Sequence, residues 1–219
     1  MTDFSAERRH MVDGQVRPAD VTDLRIISAM MAVPRERFVL PQSVGLAYLD
    51  FGLKVGGAPD APRCLLKPMV LAKLIQAAEL EPTDRVLVVG SATGYSAAVL
   101  SHIAEHVTAL EQDEALASMA KSALASLANV TAIKGALADG WAGAAPYDAI
   151  LIDGAIERLP QGVWRQLKDG GRLVCVLGVS PGGQAMLYRR SGDECSGRPI
   201  FNATAALLPG FAKAPAFAF

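Results

Sequence analysis

A glycine-containing turn follows a short apolar run near the middle of the chain and could hold a ligand. The run RVLVVG is typical of a strand buried on both faces, and GYSAAVL after it predicts a helix. Gly90 and Gly94 bracket the connection, where glycine permits a positive φ and close approach of a ligand to the backbone. The helix start presents free N–H groups at its positive end. A tight turn without a ligand is the alternative interpretation of this loop.

An acidic residue further along the chain favours the ligand-binding interpretation. Glu111 ends the predicted strand HVTAL about twenty residues after Gly90, where a carboxylate can accept hydrogen bonds from both hydroxyls of a ribose. A solvated acid at a strand end is the alternative. The turn reads G-x-A-x-G, whereas a dinucleotide pyrophosphate is accommodated by G-x-G-x-x-G, and this difference tells against a nicotinamide enzyme.

Strands and helices must alternate to position these residues. The predicted strands are RVLVVG, HVTAL, NVTAIKG, YDAILID and GRLVCVLG, and the predicted helices are PMVLAKLIQAAEL, GYSAAVLSHIA, EALASMAKSALASL and LPQGVWRQLKDG. Such alternation predicts a parallel sheet with right-handed crossovers. After Gly178, QAMLYRRS and RPIFNATAAL follow each other without a helix between them. We therefore predict a Rossmann-like, doubly wound, mostly parallel α/β fold with a C-terminal antiparallel hairpin.

The first 63 residues have a different pattern. Leu24, Ile27, Met30 and Met31 recur at helical spacing, and Pro34 ends that helix. The stretch FGLKVGGAPDAPR is rich in glycine and proline and predicts a loop. We expect residues 1–63 to form an N-terminal helical extension and loop, and residues 64–219 to form the α/β domain.

The order and spacing of several segments resemble the protein-L-isoaspartate O-methyltransferase family. The segments are RVLVVGSATGYSAAVL, ALEQD, GALADGWAGAAPYDAILIDGAIERLP and the N-terminal DVTDLRIISAMMAVPRERFVLP. The resemblance as a whole covers roughly residues 10 to 190. The segment ATAALLPGF is similar to bacterial members. The resemblance implies the class I methyltransferase fold, with S-adenosylmethionine as the cofactor and a protein or peptide as the substrate.

The implied reaction transfers a methyl group to the α-carboxylate of an isoaspartyl residue. That carboxylate is already ionised at neutral pH, so the protein chiefly aligns the reactants and no catalytic base is expected. The resemblance implies two sets of site residues. The cofactor set is Gly90, Ser91, Gly94, Tyr95, Glu111, Gln112, Ala136 and Leu137, and the substrate set is Leu66, Lys67 and Pro68. In the cofactor set, Gly90 and Gly94 would hold the methionine moiety and Ala136 and Leu137 would flank the adenine.

Four positions depart from the family pattern, and these departures leave the function open. They are Val88 in place of an acid, Ala92 in place of a glycine, Ala136 in place of an acid and Leu66 in place of a serine. Each lost charge-assisted hydrogen bond costs roughly 1.5 to 3 kcal/mol. Asp139 could replace the acid missing at Ala136. The chain could therefore be an isoaspartyl methyltransferase, a methyltransferase for another acceptor, or a non-catalytic binding module that has lost the cofactor.

The overall composition limits the partners. The formal net charge is −1, which creates no field that recruits nucleic acid or an anionic membrane. No apolar run is long enough to span a bilayer. The three cysteines form no metal-binding or disulfide pattern, so a reducing, cytoplasmic location is expected. His102 and His106 lack a third ligand nearby, and we predict no metal site. The sequence does not indicate an oligomeric state.

Overall fold

The computed structural model describes residues 3–59, 61–179 and 181–213, and strands alternate with helices over most of them. The strands are β1 (Leu53–Ala58), β2 (Ala61–Leu65), β3 (Arg85–Val89), β4 (His106–Glu111), β5 (Val130–Lys134), β6 (Tyr147–Ile156), β7 (Leu167–Leu177), β8 (Gln184–Ser191) and β9 (Glu194–Asn202). The α-helices are α1 (Phe4–Met11), α2 (Leu24–Ala32), α3 (Pro68–Ala77), α4 (Tyr95–Leu100), α5 (Glu114–Leu124) and α6 (Gln161–Trp164).

The central sheet has seven strands in the order β5-β4-β3-β6-β7-β8-β9. Strands β3 to β7 are parallel, whereas β8 and β9 form the antiparallel hairpin predicted at one edge. The chain passes from β3 to β4 on one side and later returns to place β6 on the other side. A crevice therefore opens between the carboxyl ends of β3 and β6, the usual position of a ligand in such sheets.

Alternate residues of β3 divide the core into two layers. Val86 and Val88 face a cluster that contains the N-terminal segment, α2, α3 and α4, whereas Leu87 and Val89 face a second cluster on the other side of the sheet. All four side chains are almost fully buried, as the uninterrupted apolar run predicted. Val88, one of the four departures from the family pattern, is thus a core residue in the first cluster.

The glycine- and proline-rich stretch before Cys64 is not a loop, and that prediction was wrong. Strands β1 and β2 pair as a separate antiparallel hairpin, with Leu53 opposite Leu65. Gly57 supplies the positive φ of 82° that its position near the hairpin end requires. The burial of β2 alternates, because Arg63 and Leu65 face inward and Cys64 lies between them. The predicted division of the chain at residue 63 remains a prediction, and it falls within β2.

The amphipathic helix predicted for LPQGVWRQLKDG was also wrong in its length. Only the single turn α6 is helical, and β7 begins at Leu167, opposite Tyr147 of β6. The Gln166 carbonyl accepts a hydrogen bond from the Tyr147 N–H at 2.8 Å, so sheet pairing replaces a continued helix. Other helices agree with the sequence, since Pro68 starts α3 and α2 ends two residues before Pro34.

Arg172 ties the amino edge of the sheet together. Its guanidinium donates to the Ala78 carbonyl at 2.8 Å, the Glu79 carbonyl at 2.9 Å and Asp84 Oδ2 at 2.6 Å. These contacts join the end of α3 to the start of β3, at the edge opposite the crevice. The contacts of Arg172 therefore stabilise the sheet at the edge away from the crevice.

Candidate cofactor site

The turn after β3 has the conformation that its glycines predicted. The φ angles are 82° at Gly90 and 99° at Gly94, and Gly94 precedes the first residue of α4. The N–H groups of Gly90 and Ser91 both donate to the Leu110 carbonyl, at 2.9 and 3.0 Å. A Cβ at Gly94 would lie 2.9 Å from Leu124 Cδ1. The turn is therefore held firmly against β4 and α5 at the mouth of the crevice.

Ala92, at the middle of this turn, also has a left-handed conformation. Its φ is 49°, and its side chain is buried. An L-residue in this region pays a steric cost of roughly 1 to 2 kcal/mol that glycine avoids. The family's glycine at this position is thus explained by the backbone, and Ala92 retains the conformation at a cost.

We expect Ala92→Gly to raise the free energy of unfolding by about 0.5 to 1 kcal/mol, because relief of the left-handed strain exceeds the added chain entropy of glycine. Urea unfolding measures this change. Ala117→Gly in α5 is the matched control, and it should lower stability by about 1 kcal/mol because its backbone is helical. A loss of stability in Ala92→Gly would contradict the strain.

Glu111 is buried at the end of β4 with both carboxylate oxygens fully engaged. Its side chain is 1% exposed. Oε1 accepts the N–H groups of Gln112 and Asp113 at 2.8 and 3.0 Å, and Oε2 accepts the N–H of Ala92 at 2.8 Å. The guanidinium of Arg63 donates to both oxygens at 2.9 Å. Glu111 has the predicted position beside the turn, but its partner in this structure is an arginine.

Sequence reasoning did not single out Arg63, which lies within the stretch predicted to be a loop. Its side chain is 3% exposed, and Nη2 also donates to the Gly90 carbonyl at 2.9 Å. A signal was present, because Val55 and Leu53 alternate along β1 as Leu65 and Arg63 alternate along β2. A strand with this alternation points Arg63 inward, where an arginine needs a carboxylate partner.

The segment 206–211, which we call the strap, crosses the carboxyl edge of the sheet. The Ala206 carbonyl accepts from the Ala155 N–H at 2.8 Å, and the Leu208 N–H donates to the Ala155 carbonyl at 2.9 Å. A Cβ on Gly154 would lie 2.6 Å from Leu208 Cδ2. At its other end the strap buries Phe211 completely, in the same apolar cluster as Leu137. The strap therefore covers the crevice.

The residues predicted to flank the adenine lie beside those predicted to hold the ribose. The Leu137 N–H donates to Gln112 Oε1 at 3.4 Å, and the Gly135 N–H donates to the Glu111 carbonyl at 3.0 Å. Leu137 is fully buried, whereas Ala136 is exposed. The structure thus brings the ends of β3, β4 and β5 together as the resemblance implied.

Asp139, considered as a replacement for the family's missing acid, lies in a single 3-10 turn, Leu137–Asp139. Its side chain is exposed. A role for Asp139 in cofactor binding remains a prediction.

The predicted substrate residues connect β2 to α3. Leu66 and Pro68 are buried, and Lys67 is half-buried immediately before α3. The Leu66 carbonyl accepts a hydrogen bond from Arg35 Nη2 at 2.9 Å. This connection is therefore anchored to the N-terminal segment, and the substrate role of the three residues remains a prediction.

Tyr95 packs beneath the N-terminal segment. The Arg35 guanidinium lies 4.6 Å from the centroid of its ring, and the Phe38 ring lies 5.7 Å away in an edge-on arrangement. Tyr95 is 1% exposed. This packing accounts for the burial of Tyr95, and contact with a cofactor remains a prediction for it.

A buried acid lies at the crevice between β3 and β6. Asp153 is 3% exposed, and its Oδ1 has no hydrogen-bond partner among the described residues. Burial raises the pKa of Asp153 to about 6, and the nearby Ser96, Arg63 and Arg35 partly offset this effect. The floor of the crevice therefore carries a carboxyl group whose burial is only partly offset by its polar and charged neighbours.

The space that a nucleoside needs at this site is taken by the chain itself. A Cβ on Gly90 would lie 3.0 Å from Leu208 Cδ1 and 3.1 Å from Arg63 Nη2. Arg63 also donates to both carboxylate oxygens of Glu111. S-adenosylmethionine therefore does not fit beside Gly90 and Glu111 in this conformation.

The described residues contain neither a candidate metal site nor a helix that could span a membrane. Over the described ranges, no group of three or more His, Cys, Asp or Glu side chains could hold a metal ion. His106 begins β4, so it does not share a helix with His102. None of the helices in the described residues has the length and apolar character that crossing a bilayer requires.

The parallel sheet, the turn after β3 and the acid at the end of β4 define a class I methyltransferase fold. A solved protein-L-isoaspartate O-methyltransferase superposes with a TM-score of 0.81 and 24% identity, covering 93% of this chain and 66% of that chain. A Plasmodium falciparum structure described as a beta-aspartate methyltransferase in complex with S-adenosyl-L-homocysteine has a TM-score of 0.73 and 14% identity, covering 95% and 99% of the two chains.

The sequence comparisons give the family. A model of the protein-L-isoaspartate(D-aspartate) O-methyltransferase family matches residues 6–202, and the chain belongs to this family. A protein-L-isoaspartate O-methyltransferase of Koribacter versatilis is 34% identical over 91% of this chain and 93% of its own length. One from Methylorubrum extorquens is 39% identical over 90% and 85% of the two chains. The resemblance that the sequence motifs indicated is confirmed.

Proposed function

We propose that this chain transfers the methyl group of S-adenosylmethionine to isoaspartyl carboxylates of proteins. The observation that carries the proposal is the family match over residues 6–202, which includes every predicted site residue. The crevice supports it, because Gly90 and Gly94 have the positive φ angles of a ligand-binding turn and Glu111 lies beside that turn at the end of β4.

The chain's own contribution to such a reaction is placement. An isoaspartyl carboxylate is ionised at neutral pH, so no side chain has to remove a proton. The connection Leu66–Pro68 lies between the hairpin and α3, and half-buried Lys67 offers a positive charge to an acidic acceptor. Since the cofactor does not fit in this conformation, the crevice must open before it binds.

A non-catalytic binding module is the second candidate. The observation that favours it is the buried pair of Arg63 and Glu111, which occupies the position expected for the ribose. A methyltransferase for another acceptor also stays open, because Leu66 stands where the family has a serine. We propose a protein or peptide partner and a cytoplasmic location, with no nucleic-acid or membrane partner.

The test measures transfer of a labelled methyl group from S-adenosylmethionine to a peptide that contains isoaspartate. The same peptide with ordinary aspartate is the matched control. Incorporation into the isoaspartyl peptide alone is the expected result. Binding of S-adenosylhomocysteine without incorporation would indicate another acceptor. If neither the wild-type protein nor its folded Arg63→Met variant binds S-adenosylhomocysteine or incorporates the label, the result would favour the non-catalytic module.

A further inference from the structure

Two segments outside the central sheet meet above the turn after β3. The hairpin of β1 and β2 contributes Arg63, and the strap contributes Leu208. Both side chains lie against Gly90. A Cβ placed on Gly90 would lie 3.1 Å from Arg63 Nη2 and 3.0 Å from Leu208 Cδ1. Together they fill the space beside Gly90 that a ligand would approach.

The Arg63 guanidinium satisfies the same acceptor that a ribose would use. Two vicinal hydroxyls present two donors to the two oxygens of one carboxylate, and the planar guanidinium fork does the same. In this structure Arg63 Nη1 and Nη2 donate to Oε1 and Oε2 of Glu111, each at 2.9 Å. Backbone N–H groups engage the same oxygens, so Glu111 cannot hold Arg63 and a ribose together.

Neither covering segment is a strand of the central sheet. The hairpin is a separate two-stranded sheet, and the strap is joined to β6 by an isolated parallel bridge between Ala155 and Leu207. The Arg172–Asp84 pair offers a contrast, because it joins a half-buried arginine to a buried acid but lies at the opposite edge of the sheet. Arg63 and Leu208 thus have the placement of a removable cover.

We infer that Arg63 and the strap form an internal plug that competes with the nucleoside of S-adenosylmethionine for Glu111 and the surface of Gly90. This inference rests on the proposed function, because it concerns the cofactor site of that reaction. The closed state lowers the apparent affinity by the fraction of molecules that are open. Anything that stabilises the open state therefore activates cofactor binding.

Calorimetric titration with S-adenosylhomocysteine tests the plug in four proteins: the wild type, Arg63→Met, Leu208→Ala and Arg172→Met. Arg63→Met frees Glu111, and Leu208→Ala frees the space above Gly90 while it leaves the buried ion pair intact. Each plug variant should bind at least about tenfold more tightly than the wild type, because the closed state lowers the apparent affinity in proportion to the fraction of open molecules. Arg172→Met, the matched control, should bind like the wild type.

Hydrogen exchange gives a second measurement that does not depend on a variant. Saturation of the wild-type protein with S-adenosylhomocysteine should lower the protection of the β1 and β2 amides, because the hairpin must withdraw Arg63. Unchanged or increased protection of the hairpin would contradict the plug.

The titration outcomes separate the plug from the proposed function. Equal and tight binding by the wild type and both plug variants would overturn the plug and leave the proposed function standing. If no folded variant binds S-adenosylhomocysteine, Arg63 and Leu208 are not what prevents binding, and the plug is overturned. Tighter binding by both plug variants without methyl transfer to the isoaspartyl peptide would support the plug and remove the proposed reaction.

Discussion

Glu111→Gln is expected to lower the free energy of unfolding by about 3 to 5 kcal/mol, because it leaves the Arg63 guanidinium buried without a counter-charge. Glutamine is similar in size, but its NH2 group replaces one of two oxygens that both accept backbone N–H groups, so the loss includes hydrogen bonds as well as the charge. Both side chains of the native pair are nearly inaccessible, at 3% and 1% exposure. Denaturant unfolding at neutral pH measures the change.

The double variant Arg63→Met/Glu111→Gln should recover most of this stability, because no unpaired buried charge remains. The matched control is Arg189→Met, which breaks an exposed pair with Glu79 and should cost less than about 1 kcal/mol. If Glu111→Gln costs no more than Arg189→Met, the pair of Arg63 and Glu111 is open to water in solution. That outcome would also weaken the plug.

Arg35→Met should lower the free energy of unfolding by about 3 kcal/mol, because it leaves two buried carbonyls without a donor. Arg35 is fully buried, with Nε donating to Ala47 at 2.8 Å and Nη2 donating to Leu66 at 2.9 Å. The methionine keeps much of the volume above the Tyr95 ring, so the lost hydrogen bonds account for most of the effect. Thermal or denaturant unfolding measures it.

Arg35→Lys should recover little of that loss, because one ammonium does not reproduce the fork that reaches both carbonyls. Arg17→Met is the matched control in the same N-terminal segment, since Arg17 forms an exposed pair with Asp13 and should cost less than about 1 kcal/mol. Equal stability of Arg35→Lys and the wild type would show that the position needs only a positive charge.

The parallel sheet could be predicted from the sequence because its strands are marked by local patterns. Uninterrupted apolar runs such as RVLVVG follow from burial on both faces, and Pro68 marks a helix start for a local steric reason. The proximity of Gly90 and Glu111 also follows from local patterns, since they lie at the carboxyl ends of the neighbouring parallel strands β3 and β4. The positions of these elements therefore agree with the sequence prediction, whereas a contact of Gly90 or Glu111 with the cofactor remains a prediction.

The missed features depend on contacts between distant residues. The stretch after Phe51 became a hairpin because Leu53 pairs with Leu65, and glycine and proline content alone hid the alternation. The helix after Pro160 stopped early because Leu167 pairs with Tyr147. Arg63 meets Glu111 across 48 positions of the chain, and no local spacing indicates such a pair. The occupied crevice was for this reason not predicted.

The strap follows β9 in the chain, and this order has a consequence for synthesis. Synthesis proceeds from the N-terminus, and domains generally fold as units. The hairpin, β3 and β6 leave the ribosome before residues 206–211, so Arg63 is available to Glu111 before Leu208 is available to Gly90. The strap is therefore the last part of the cover to be synthesised, and the covered crevice is completed only once residues 206–211 have emerged.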